Sequence, residues 1–194
     1  MSVIKDGVTA ISPGQTLMGT HEGRLINTDL VGQPVVLSHD LRSISGSDAQ
    51  LHTGPINRRT IGMVMRNTTG ALLTGGMIVK EDLSAGLTNL GQANALCTAS
   101  ARNVYVVDPL LGADAVADDD LFIAHVRGPS KVLMNGTGVA ITTGTDTLVA
   151  GASGFPAKGA TPDTGTLMGT FLETSTATAN KDTKVAVLLH PDWE

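Results

Sequence analysis

The densest chemistry-bearing run in the chain is Asp118–Asp119–Asp120, three carboxylates in a row. Calcium takes about six to eight oxygens from a loop that folds around it. Neither an Asp-x-Asp-x-Asp-Gly loop nor a closing Glu is present, so the run reads as a solvated turn ahead of an apolar strand. His39–Asp40 has the order of a base with its orienting acid, and a small hydrolase could use His39 or His125 with a nearby Asp. No Gly-x-Ser-x-Gly elbow singles out a nucleophile, however. His21, His52, His125 and His190 are scattered, without the His-x-x-x-His spacing of a zinc helix, and all five histidines read as structural. The Gly-x-Gly of Asn135–Gly138 runs into an apolar stretch of strand type. A phosphate loop would open a helix there, so these residues read as a hairpin turn. Lys158 has no acid beside it in sequence and reads as a solvated loop cation. Cys97, among Ala95, Leu96, Thr98 and Ala99, reads as a buried, inert thiol. No residue is assigned a catalytic, cofactor-binding or metal-binding role.

Whatever these side chains do, short strands must position them. Six apolar runs punctuate the final third: Leu121–Val126, Lys131–Met134, Val139–Thr142, Thr147–Ala150, Thr166–Leu172 and Lys184–Leu189. Each has the length and the Gly, Thr, Asp or Pro boundaries of a β-strand. In the last run Val185, Val187 and Leu189 share one face, because strand side chains alternate. Upstream, Val35–Leu37, Ile61–Met65, Met77–Lys80 and Asn103–Val107 read as strands, with a turn at Asn67–Gly70. Between Glu81 and Ala101, Leu83, Leu87 and Leu90 have helical spacing that Gly86 and Gly91 interrupt, so a short helix and a loop are equally compatible. The pentapeptide Thr16–Thr20 recurs at Thr166–Thr170. A single recurrence at that distance is no repeat array.

The expected fold is mainly β: a small β-barrel or sandwich body over 55–194, with an extended N-terminal arm and hinge over 1–54. Ser43–Pro55 is the polar stretch that marks the hinge. An arm with so few apolar runs buries little of itself, so it is expected to lie on its own body, a sister subunit or a larger partner.

Composition narrows the function. Hydrophobic residues are 41% of the 194, enough for a core, whereas aromatics are 3%. That scarcity argues against stacking platforms for bases or sugars. A net charge of −5 with no basic block excludes binding to nucleic-acid backbones. No window approaches about 18 uninterrupted apolar residues, and one cysteine cannot make an internal disulfide. The expectation is a soluble protein made in a reducing compartment, with no nucleic-acid or membrane partner.

Two passages resemble a known group. Arg59–Lys80, a strand followed by Asn-Thr-Thr-Gly, leucines, Gly-Gly and a second strand, is similar to decoration (cement) proteins of tailed-bacteriophage capsids. Asp119–His190, with its strand–Gly-Pro–strand course, resembles the small β-barrels of that group. The resemblance implies a structural, non-catalytic protein without cofactors on the outer surface of the virion capsid, assembled in the host cytoplasm. Its implied partners are the major capsid protein and itself, as a homotrimer. Met1–Ser45 would be the clamp, whose removal should abolish shell binding and leave the body folded. The alternative is another virion structural protein, in a fibre, spike or tail, with a receptor- or glycan-binding role. An enzyme ranks last.

Overall fold

The computed structural model describes residues 4–5, 8–9, 31–37, 60–99, 101–111, 115–135, 140–143, 145–159, 167–174 and 184–189. Its strands in chain order are β1 (Ile4–Lys5), β2 (Val8–Thr9), β3 (Pro34–Leu37), β4 (Thr60–Asn67), β5 (Leu73–Thr74), β6 (Ile78–Glu81) and β7 (Gln92–Leu96). They continue with β8 (Val104–Val107), β9 (Ala115–Val116), β10 (Leu121–Leu133), β11 (Thr147–Ala150), β12 (Pro156–Lys158), β13 (Leu167–Phe171) and β14 (Lys184–Leu189). The chain is mainly β, as its patterning predicts.

Five of these strands close a ring. β4 pairs with β7, β7 with β6, β6 with β8, β8 with β10, and β10 back to β4. Alternation then decides what fills it. Met63 and Met65, Val79, Ala93, Tyr105 and Val107, and Phe122 and Ala124 share the interior cluster. Their strand neighbours Val64, Ile78, Val106 and Ile123 belong to clusters outside the ring. Leu73 and Val116, cross-strand partners in the β5–β9 ribbon, also join the interior cluster.

A second sheet runs β10–β14–β13–β11–β12. Its inner face, including Val132, Leu148, Phe171, Val185, Val187 and Leu189, packs against Ile78, Cys97 and Val106 of the ring. The face shared by Val185, Val187 and Leu189 is thus buried, as the alternation predicts. β10 serves both layers: Leu121–Arg127 pairs with β4, and Gly128–Leu133 pairs with β14.

That shared strand corrects the reading of Leu121–Val126 and Lys131–Met134 as two strands. One strand runs through because a bulge between His125 and Arg127, followed by Gly128 at φ 99, turns the backbone while the ladders continue. Val139–Thr142 is also corrected in its described part. Ile141 makes a single bridge and its neighbours Ala140 and Thr142 lie outside any strand, whereas 136–139, with the expected Gly136–Gly138 turn, falls outside the described residues. Between Glu81 and Ala101 the chain forms a 3-10 turn over Gly86–Asn89 and then β7. Leu83 and Leu90 are each 44% exposed, so their spacing does not mark a buried helical face.

Most of the expected arm, 1–54, and its hinge lie outside the described residues. One part does not. Pro34–Leu37 pairs with β4 as the terminal strand of the large sheet, and Val35 is buried against Val64 and Ile123. This part of the segment lies on the chain's own body, one of the three resting places expected for it.

Candidate functional site

The bend of β10 brings titratable groups together. His125 precedes the bulge and Ser130 follows it, and the bulge with the bend at Gly128 sets their side chains face to face. His125 Nδ1 is 2.9 Å from Ser130 Oγ. On the other side of the ring, Nε2 lies 3.6 Å from an oxygen of Asp108, just past the end of β8. The pairing His125↔Val106 places that carboxylate beside the imidazole. Asp108 also accepts the Leu110 backbone N–H at 2.9 Å, which fixes its orientation. Between the two halves of the bend, Thr60 Oγ1 donates to the Pro129 carbonyl at 2.6 Å.

A hydroxyl, an imidazole and a carboxylate in series form the arrangement that activates serine nucleophiles. His125 is 2% exposed, and Ser130, Asp108 and Thr60 are 0% exposed. No substrate from solution reaches the hydroxyl in this conformation. The hydrogen bonds act on the fold itself, tying the two halves of β10 to each other and to β4, with the Asp108 carboxylate at the end of β8 facing Nε2. His125 was weighed from sequence with an unspecified Asp. Asp108 and Ser130 were not singled out, since only the bulge and the strand pairing bring them to the ring. The Gly128–Pro129 step inside an apolar run was the available signal.

The other candidates resolve individually. Lys158 is exposed, as its reading as solvated expects, but it is not alone: β12 folds back along β11 with Lys158 opposite Leu148, and its Nζ pairs with Asp146 at 2.8 Å. The hydrogen bond from Lys158, then that from the Thr142 N–H, holds the Asp146 carboxyl below the usual carboxylate range. Asp118–Asp119–Asp120 is a turn, but a braced one. Asp119, at φ 70, pairs with Arg66 at 2.7 Å, and Asp118 accepts the Gly70 N–H at 2.9 Å. The first bond reaches β4 just ahead of the Asn67–Gly70 turn, and the second reaches the turn itself, which is present as expected. Tyr105 donates to buried Glu81 at 2.9 Å, while the other Glu81 oxygen accepts Gly91 N–H at 2.7 Å. Burial and then the Glu81 charge push the Tyr105 phenol well above its ordinary range. Among the described residues no group of three His, Cys, Asp or Glu side chains has metal-binding geometry. His21, His39, Asp40, His52 and His190 lie outside the described residues.

Cys97 is fully buried, its Sγ 3.2 Å from the Gly151 carbonyl, and burial pushes the thiol up from 9.0 to about 11. The unfolded chain therefore releases this proton first as pH rises. The contribution of this thiol is constant below about pH 9 and is lost between about pH 9 and about 11, by about 1.4 kcal/mol per pH unit at its steepest. Urea unfolding across that range should show this slope, and Cys97→Ala should remove it while other alkaline losses persist. An equal slope in both proteins would assign it to other groups.

On the outside, Val36, Ile61 and Arg127 stand in register across β3, β4 and β10. Val36 is 57% and Ile61 40% exposed, and Arg127 is exposed beside them. Compared with known proteins, the chain matches no family model and no curated sequence, so the functional argument rests on its own residues and geometry.

Proposed function

We propose that this chain is a structural decoration protein that binds the outer surface of an icosahedral phage capsid and bridges neighbouring major capsid subunits. The resemblance of Arg59–Lys80 and Asp119–His190 to cement proteins motivates the reading. The observation that carries it is the row Val36–Ile61–Arg127 at the terminal strand of the sheet. It offers two apolar contacts ending in a guanidinium, with Ile61 and Arg127 on ring strands and Val36 on the strand paired to β4. Among the described residues β3 is the last strand of the sheet, and a sheet edge is where a partner can add a strand. Binding only to the assembled, expanded shell would stabilise that shell by mass action, and repetition over many sites lets modest contacts sum. A homotrimer would multiply the contacts further.

The test uses the purified chain with mature heads and with compact precursor shells of the virus that encodes it. Co-sedimentation with the heads alone is the expected result. Val36→Asp combined with Ile61→Asp should weaken binding at least about tenfold, since two desolvated apolar contacts are worth more than 1.4 kcal/mol, and should leave the circular dichroism spectrum unchanged. Removal of Met1–Ser45 is a poorer test than the sequence suggests, because it takes away β3 and uncovers Val64 and Ile123. Removal of 1–30 keeps β3 and tests the clamp. A chain that sediments with neither shell overturns the reading.

A further inference from the structure

The burial that keeps outside substrates from Ser130 does not apply to a bond of the chain itself. We propose that the Pro129–Ser130 peptide bond is a self-cleavage site, with Ser130 as nucleophile and His125 as its base. The reacting carbonyl is the one preceding the serine, which Ser130 Oγ reaches by closing a five-membered ring. His125 Nδ1 lies 2.9 Å from that oxygen. In the tautomer with its proton on Nε2, directed at Asp108 3.6 Å away, Nδ1 is free of hydrogen and accepts the hydroxyl proton. Asp108 is a positioning residue, itself oriented by the Leu110 N–H. The Pro129 carbonyl oxygen already receives the Thr60 hydroxyl at 2.6 Å, a donor placed where negative charge develops during attack. The bulge between His125 and Arg127 and the φ of 99 at Gly128 lie immediately upstream, where the backbone departs from regular pleat.

The step balances without a redox partner. Ser130 Oγ bonds to the Pro129 carbonyl carbon as its proton passes to His125 Nδ1. Collapse of the tetrahedral species breaks the bond from that carbon to the Ser130 nitrogen, which takes the proton from His125. The product is an ester between Pro129 and the Ser130 side chain, with a free amine on Ser130. Loss of the amide frees the β10 backbone at its bend and opens the ester to solvent, where one water hydrolyses it to the Pro129 carboxylate and regenerates the hydroxyl. The cut divides β10 at its bend, and the two pieces stay held by β4 and β8 on one side and by β14 on the other.

This inference is independent of the capsid reading, and its test needs no partner. Purified full-length chain is incubated for days near neutral pH, with and without hydroxylamine, and followed by intact-mass spectrometry. The expected products are Met1–Pro129 and Ser130–Glu194, summing to the intact mass plus one water, with hydroxylamine converting the first to its hydroxamate. Ser130→Ala should remove both fragments. Thr60→Val should slow their appearance about a hundredfold, the loss expected for one donor to the developing oxyanion. Ser130→Cys should cleave through a thioester that hydroxylamine traps. Wild type and Ser130→Cys that both stay intact with hydroxylamine overturn the proposal. So does cleavage at the same bond in Ser130→Ala, which would assign it to an outside protease.

Discussion

Replacing Asn67 by Asp should lower the unfolding free energy by about 4 kcal/mol or more at neutral pH, although the two side chains are nearly isosteric. Asn67 is 0% exposed. Its Nδ2 donates to the carbonyls of Ala71, Val116 and Ala117 at 2.8, 3.1 and 3.0 Å, and its Oδ1 accepts the Thr69 N–H and hydroxyl at 3.0 and 2.7 Å. The backbone of the same residue donates to the Asp120 carbonyl and accepts the Asp119 N–H. One amide therefore joins the turn after β4 to the strand and turn before β10. Aspartate keeps the shape but replaces the donor group with a second oxygen facing three carbonyls, inside a region closed to water. The cost combines lost hydrogen bonds to buried acceptors with burial of a charge among like-signed dipoles. Asn67→Ala, which removes the bonds without adding charge, should cost less, about 3 kcal/mol. Urea titration of the three proteins measures both. A smaller loss in Asp than in Ala would contradict the assignment of Nδ2 as the working atom.

Gly169→Ala should be comparably severe, at about 3 kcal/mol or more, for a reason unrelated to hydrogen-bond chemistry. Gly169 is paired with Leu189 across β13 and β14. A β-carbon there would overlap the Leu188 carbonyl oxygen, and the Leu188 carbonyl carbon would sit only 2.9 Å away. Both atoms are backbone, so no rotamer change relieves the contact. The strands must separate, and Met168 and Phe171 of the shared core move with them. The loss falls in the range reserved for overpacking and backbone strain. Thermal unfolding with hydrogen exchange at β13 and β14 would show it, and an unchanged melting temperature would exclude the close approach.

These two residues also show where the sequence was readable. Alternation over Lys184–Leu189 gave the buried face of β14 correctly, and the bounded apolar runs gave a mainly β chain. Asn67–Gly70 announced a turn by residue type alone. It did not announce that Asn67 would tie that turn to residues about fifty positions away, because propensity describes a neighbourhood and not a partner. Gly169 lies in a pentapeptide whose recurrence drew notice, while its necessity comes from a strand that joins it only in the folded sheet. β7, built as Gln-Ala-Asn-Ala-Leu, carries little strand signal of its own and is held by β4 and β6 on either side. The same limit hid Asp108 and Ser130. The partner of Lys158 is hidden in the same way, because Asp146, twelve residues earlier, meets it only after β12 turns back.

While β10 is uncut, a single backbone belongs to both layers, and tension on either layer is carried straight into the other without crossing a linker. Pulled along that strand, the molecule meets the load as shear across the ladders with β4, β8 and β14, and yielding requires these to slip together. A body wired in this way is stiff against traction between its two ends.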